Sequence, residues 1–205
     1  MNRLTLPLVG AGAAALALSI AAGAAHPVAV SAAAPSAAQA GAQAGAPPAG
    51  LAGTVALATT RLTAVQAADL AGMAEEEKVA RDLYRAFAAR YPSRVWDNIA
   101  AAEASHLAAI RTLLARYGVA DPTAGRSDGY FASAAFQAMY DRLLATGLSS
   151  EVAAFGVGRT VEVDDIARLD AALGRATQSD VRIVYTNLRR GSTQHLRAFE
   201  RQLAR

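Results

Sequence analysis

Glutamate, aspartate and histidine recur at helical spacing in four stretches of the 205-residue chain. Glu103 and His106 are three residues apart, so a helix places both on one side, where a carboxylate and an imidazole can bind one metal ion. E-x-x-H alone is common by chance in Glu-rich helices. Here it lies on an apolar stripe between Ile99 and Ile110, which turns it towards the core. The pair therefore predicts a buried ligand set.

Three other stretches carry a ligand-type residue in the middle of an apolar stripe, namely Glu77, Glu162 and His195. Asp165 follows Glu162 by three residues and shares its face. A buried carboxylate is unfavourable unless it is protonated, ion-paired or bound to metal. Four such stripes carry these ionisable residues at matching depth, and they also hold two of the three histidines of the chain. This coincidence indicates a common cause for the buried ionisable residues.

Carboxylates and imidazoles without sulfur suit iron, manganese or zinc. Four-helix bundles commonly hold two metal ions between one Glu from each of two helices and an E-x-x-H from each of the other two. Glu77 and Glu162 fit the single carboxylates, and Glu103 with His106 fits one pair. We therefore predict a site for iron, or alternatively manganese or zinc, in which Glu103 is a bridging ligand.

The last stretch departs from this arrangement, because the residue three before His195 is Ser192. Asp165 could supply the missing carboxylate. Alternatively, Asp165 is a surface acid that pairs with Arg168 or Arg61, and one metal position is weak, open to water or empty. The site is thus expected to hold two ions or one.

Four long helices are needed to position these stripes, and helix-capping residues and glycines mark their ends. The connection 118–149 is long enough to run the length of a bundle, whereas the turns at 92–93 and 176–178 are short enough to make antiparallel pairs. We predict an all-α, ferritin-like four-helix bundle with a long crossover that carries a short extra helix. The predicted segments are 63–91, 93–117, 132–146, 149–175 and 179–205, with caps at Thr63, Ser93, Ser149 or Ser150, and Ser179.

Polar neighbours of the predicted ligands have structural interpretations. Arg159 lies one turn before Glu162 and could be its counter-ion. Glu75 and Glu76 are expected to face solvent or to pair with arginines. Tyr84, two turns after Glu77, is expected to pack in the core, although its hydroxyl could also contact a metal-bound species.

The composition excludes several classes of protein. The chain has a net charge of +3 without blocks of like charge, which makes no case for nucleic-acid binding. It contains no cysteine, so disulfides, thiolate metal sites, a cysteine nucleophile and lipoprotein attachment through cysteine are excluded. The ligands must therefore come from carboxylates and imidazoles.

The N-terminal region is unlike the rest of the chain. A positive start at Arg3, an apolar run over 4–20 and small residues at 22–24 predict a signal peptide over 1–25, with an uncleaved anchor as the alternative. Residues 26–61, rich in Ala, Gly and Pro, predict a disordered tether, and 62–205 form the bundle. The expected location is secreted or periplasmic, with no stable membrane span after cleavage.

Several motifs together resemble the ferritin-like family called domain of unknown function 2202. They are EEEKVARDLY over 75–84, NI at 98–99, E-x-x-H over 103–106, VG at 157–158, E-x-x-D-I over 162–166 and G-S-x-x-H-L-R-A-F over 191–199. The stretch Glu77, Ala80-Arg81 and Tyr84 is also similar to rubrerythrin, whose cysteine-ligated iron module this chain lacks. The resemblance implies a ferritin-like fold and a metal site, without an established activity.

These observations lead to one expected function and two alternatives. The first is an exported di-metal carboxylate protein, with iron as the expected metal, that reacts with oxygen or peroxide or oxidises ferrous iron. The second is a non-catalytic extracytoplasmic metal-binding protein, and the third is a structural helical module without metal. Metal ions and an external electron donor are the expected partners, and a homodimer is allowed for.

Deletion of residues 1–60 should leave the melting temperature of the bundle within about 2 °C of that of the intact chain. The physical reason is that this region has no charged residue except Arg3 and little bulky apolar surface after its apolar run. Calorimetry of both forms checks the expectation. A fall of several degrees would mean that the tether packs on the bundle.

Overall fold

The computed structural model describes residues 61–205, within which the chain forms five α-helices. The helices are α1 (Ala64–Arg90), α2 (Arg94–Tyr117), α3 (Ala134–Gly147), α4 (Glu151–Arg175) and α5 (Ser179–Leu203). The predicted signal peptide, and the predicted tether apart from Arg61, lie outside the described residues. None of the five helices is both long and apolar enough to cross a membrane.

Local sequence signals set most of the helix ends. Thr63 and Gln66 form the predicted capping box at the start of α1, with each side chain accepting a hydrogen bond from the backbone N–H of the other. Gly118 ends α2 in the left-handed conformation, at φ 65°. The cap predicted at Ser179 is wrong. Ser179 is already the first residue of α5, and Gln178 is in the capping position without a side-chain capping bond.

The four long helices occupy the corners of a square. α1 packs against α2 and α4, and α5 packs against α4 and α2, whereas the two diagonal pairs have no Cα atoms within 8 Å of each other in the described part of the chain and meet through aromatic side chains. Ion pairs Asp69–Arg175 and Glu76–Arg168 run in opposite chain directions, so α1 and α4 are antiparallel. The crossover after α2 must therefore run the length of the bundle, and its helix α3 covers the groove between α1 and α4. The predicted ferritin-like fold is confirmed.

Two apolar clusters fill the interior, one towards each end of the bundle. One is largely aromatic and includes Trp96 stacked on Phe155, with ring centroids 4.6 Å apart. The other is largely aliphatic and includes Leu70, Ile110 and Leu169. The buried ionisable residues lie between these clusters, where both ends of the bundle exclude water from them.

A buried ion pair attaches the crossover to α1. Lys78 is fully buried and contacts Asp82, while its ammonium also donates to the carbonyl of Ser127 at 2.8 Å and lies over the ring of Phe131. Asp82 in turn accepts from the backbone N–H of Gly129 at 2.9 Å. These contacts hold the loop before α3 against α1, and hence place α3 over the α1–α4 groove.

Replacing Asp82 with Asn should lower the free energy of unfolding by about 3–5 kcal/mol, because it leaves the buried Lys78 ammonium without its counter-charge. Denaturant unfolding measures the loss. As a matched control, Arg175→Gln removes an exposed ion pair and should cost about 1 kcal/mol or less. Equal losses for both variants would contradict the role assigned to the buried pair.

Candidate metal centre

Five of the predicted ligands meet in the middle of the bundle, one or two from each long helix. Glu77 comes from α1, Glu103 and His106 from α2, Glu162 from α4, and His195 from α5. They form two triads of carboxylates and imidazole whose potential ligand atoms lie within 4.8 Å of one another. The first triad is Glu77, Glu103 and His106, and the second is Glu103, Glu162 and His195.

Glu103 belongs to both triads and turns a different oxygen to each. Its Oε2 is 2.7 Å from Nδ1 of His106, and its Oε1 is 2.7 Å from Nδ1 of His195. Glu77 and Glu162 complete the two sides, with Glu77 Oε2 at 3.4 Å from His106 Nδ1 and Glu162 Oε1 at 3.7 Å from His195 Nδ1. Metal–ligand bonds of about 2.0–2.2 Å put two ligands of one ion at most about 4.4 Å apart. All four histidine–carboxylate distances lie within this limit.

Several ligand atoms are buried but unpaired. Glu77 Oε1, Glu103 Oε1 and His195 Nδ1 have no hydrogen-bond partner among residues 61–205. The last two are only 2.7 Å apart without making a hydrogen bond, as expected when two ligands point at a shared ion rather than at each other. Because both donor types suit iron, manganese or zinc, the residues present fit a pair of divalent cations.

The electrostatics of the cluster depend on Glu103. Burial alone would raise the pKa of Glu103, but the hydrogen bond from His106 and the close approach and charge of His195 lower it to about 2. Burial would lower the pKa of His195, yet the nearby carboxylates of Glu103 and Glu162 raise it to about 10. Without metal, the negative Glu103 is thus held between imidazole groups.

The carboxylates of Glu77 and Glu162 are protonated more easily than usual. Burial, followed by the charges of Asp165 and Glu103, raises the pKa of Glu77 well above its ordinary value. Burial and the charge of Glu103 raise the pKa of Glu162 to about 7, against the opposing effects of the nearby His195 and of the hydrogen bond from Tyr84. Metal binding must displace these protons, because ligands coordinate in their deprotonated form.

Gly191 makes room for His106. A Cβ atom at Gly191 would lie 2.6 Å from both Cε1 and Nε2 of the His106 ring. The two imidazole rings can therefore approach each other, with centroids 5.6 Å apart. Glycine in the middle of α5 lowers helix propensity, so its presence on the inward stripe is explained by this close approach.

Tyr84 contacts the site directly. It is fully buried, packs against Trp96 and Phe199, and donates its hydroxyl to Glu162 Oε1 at 2.7 Å. The predicted core packing is therefore correct but incomplete. The hydrogen bond orients Glu162 and makes the two triads unequal, since no equivalent hydroxyl contacts Glu77 within residues 61–205.

Ser192, which stands where the pattern would have its second E-x-x-H carboxylate, forms a hydrogen bond with Asp165. Ser192 donates to Asp165 Oδ2 at 2.7 Å, and Asp165 belongs to neither triad. The alternative pairing with Arg168 is wrong, because Arg168 pairs with Glu76 at 2.6 Å. Burial, then the charges of Glu76 and Glu162, raise the pKa of Asp165 well above its ordinary value. Its role as a sixth ligand stays a prediction.

Two interpretations of neighbouring charges are wrong. Arg159 is not the counter-ion of Glu162, because its side chain is half exposed and lies 3.7 Å from Glu200. Glu75 does not face solvent. It is buried and accepts the backbone N–H of Ser133 at 3.0 Å, which binds the start of α3 to α1.

Fold and site together define an all-α bundle with a buried carboxylate–histidine cluster at its centre. The family described as "Uncharacterized protein domain (DUF2202)" matches residues 67–205, and the chain belongs to this family. It is similar to "Uncharacterized protein MJ0754" of Methanocaldococcus jannaschii, with 40% identity over 131 residues, which are 64% of this chain and 71% of that protein. The crystal structure of that hypothetical protein aligns with a TM-score of 0.70 and 36% identity, over 72% of this chain and 85% of that chain.

Replacing Gly191 with Ala should lower the free energy of unfolding by about 1–3 kcal/mol, because the added methyl displaces the His106 ring in a packed interior. The matched control is Gly72→Ala in α1, where nothing lies within 4 Å of the new Cβ. That control should stabilise the protein by about 0.5–1 kcal/mol. A stabilising effect of both substitutions in urea titrations would disprove the close approach at Gly191.

Proposed function

We propose that this protein is an exported ferritin-like protein that binds two divalent metal ions, with iron as the metal, and that reacts with oxygen or peroxide or oxidises ferrous iron. The observation that carries the proposal is the division of Glu103 between two triads, one oxygen to each. In this assignment Glu77, Glu103 and His106 would hold one ion, and Glu103, Glu162 and His195 would hold the other.

The bound metal would supply redox and Lewis-acid chemistry, and the chain would supply the rest. His106 and His195 lie on the α2–α5 side of the site, while Glu77 and Glu162 lie on the α1–α4 side. The two apolar clusters exclude water from both ends. The hydroxyl oxygen of Tyr84 carries a proton and lies 2.7 Å from Glu162 Oε1. The hydroxyl can donate this proton to a neighbouring group or keep it. Electrons for any reduction would come from an external donor.

The structural alternative is supported by a different observation. Glu103 accepts a hydrogen bond from His106 at 2.7 Å, and Glu162 accepts one from Tyr84, so part of the network is satisfied without metal. Buried polar networks can exist to specify one helix register. This interpretation leaves the unpaired oxygen of Glu77 unexplained, and for that reason we favour the metal site.

Addition of Mn²⁺ or Co²⁺ should raise the melting temperature of metal-free protein. Binding at 100 times the Kd stabilises the folded state by about 2.7 kcal/mol, which is about 5–10 °C for a domain of this size. Glu77→Gln should leave the metal-free melting temperature nearly unchanged, because Glu77 is already easily protonated, but should remove most of the gain. Glu75→Gln, a buried change outside both triads, should keep the gain.

The stabilisation by metal should also be larger at pH 8 than at pH 6. Glu162, with a pKa of about 7, loses its proton between these two pH values, whereas His195, with a pKa of about 10, is protonated at both. A metal ion must displace the His195 proton, and this becomes easier as the pH rises because fewer protons compete for the ligand. If no divalent metal shifts the melting temperature at either pH, the structural alternative stands. Elemental mass spectrometry of untagged protein identifies the metal, and oxygen or peroxide consumption by the iron-loaded protein separates turnover from storage.

A further inference from the structure

A cavity of about 30 Å³ reaches the carboxylate side of the site from the groove between α1 and α4. Its inner wall includes Glu77, Glu103 and Glu162, and Met139 and Leu143 of α3 cover one side. The volume is sufficient for one water molecule or one small ion. The histidines lie across the site from this cavity, so an ion in it would meet carboxylates first.

The outer end of the cavity is lined by charged residues of α1 and α4, which are Glu76, Asp164, Asp165 and Arg168. Asp164 is exposed, so this end borders solvent. Glu76 Oε2 and Asp165 Oδ1 are buried and lack a hydrogen-bond partner in the part of the chain that the structure describes. Carboxylates in a cleft with apolar walls attract cations and concentrate them there.

Arg168 lies across this end and opposes cations. Its Nη1 is 2.6 Å from Glu76 Oε1, so the ion pair joins α4 to α1. The guanidinium is always charged. The Arg168 side chain is 36% exposed and that of Glu76 only 11%, so the arginine can move into solvent while the glutamate stays.

We propose that this cavity is the route by which a divalent cation reaches Glu77, Glu103 and Glu162, and that the Arg168–Glu76 ion pair limits its passage. The inference rests on the proposed function, because a route for cations needs a metal site at its end. Arg168 then sets the rate of metal uptake without being a ligand. Asp164 acts in the opposite direction by drawing cations to the outer end.

The same two helices provide a matched control. Arg175 pairs with Asp69 at 2.8 Å, seven residues further along α4 and seven residues earlier in α1. Its side chain is 45% exposed, and it does not line the cavity. Arg168→Gln and Arg175→Gln therefore remove the same charge from the same helix pair, and only the first removes it from the route.

Stopped-flow absorbance of Co²⁺ binding to the purified metal-free chain measures the uptake rate, and the final absorbance measures occupancy. Arg168→Gln should raise the second-order rate constant about three- to tenfold, and Asp164→Asn should lower it, with unchanged final absorbance in both. Arg175→Gln should stay within about twofold of the wild type. Melting temperatures of all variants establish that they are folded.

Equal uptake rates for Arg168→Gln and Arg175→Gln, with full final absorbance, would overturn the route while leaving the metal site intact. Equal uptake rates are also the result expected if the cavity admits only neutral molecules. If Arg168→Gln does not fold, an unchanged rate in Asp164→Asn overturns the route in its place. A wild-type protein that binds no Co²⁺ would overturn the proposed function, and the route with it.

Discussion

The buried carboxylate of Glu103 is the group around which the rest of the interior is arranged. It is 2% exposed, yet its pKa is lowered to about 2, because imidazoles from two different helices approach its two oxygens. A charge in that position is tolerable only if its counter-charges stay within hydrogen-bonding distance. The antiparallel pairing of α2 with α5 satisfies this condition, since it brings His106 and His195 to the same level of the bundle. Gly191 is part of the same requirement, because a larger residue would push one ring away.

The polar centre in turn constrains the apolar packing. The interior is divided into two clusters, and neither extends through the middle of the bundle. The helices must therefore be aligned by contacts outside the centre. Several of these contacts hold the crossover against α1. Lys78 with Asp82 and Glu75 with the N–H of Ser133 attach the crossover to α1, so that α3 covers the groove next to Glu77 and Glu162. The crossover thus serves as the wall of the cavity as well as a connection between helix pairs.

The fold and the convergence of five residues could be predicted from the sequence because both depend on short-range periodicity. Spacings of three and four residues determine which side chains share a helix face, and short turns determine which helices pair. Contacts with a partner from a distant part of the chain could not be predicted in this way. Arg159 is on the correct side of α4 by spacing, but its long side chain extends to solvent and approaches Glu200. Glu75 is buried only because the crossover covers it. For Gly191 a signal was present, since a glycine inside a helix and on its apolar stripe indicates close approach.

The asymmetry between the two triads follows from the same packing. Tyr84 donates to Glu162, so this carboxylate has a fixed partner even without metal, whereas Glu77 has an oxygen that lacks one in the described residues. Both carboxylates line the cavity, and the charge of Asp165 raises the pKa of Glu77 further. A cation at Glu77 would have to replace a proton alone, whereas a cation at Glu162 would also have to compete with the hydrogen bond from Tyr84. Two positions built from the same kinds of ligand are in this way made unequal by one tyrosine and one unpaired oxygen.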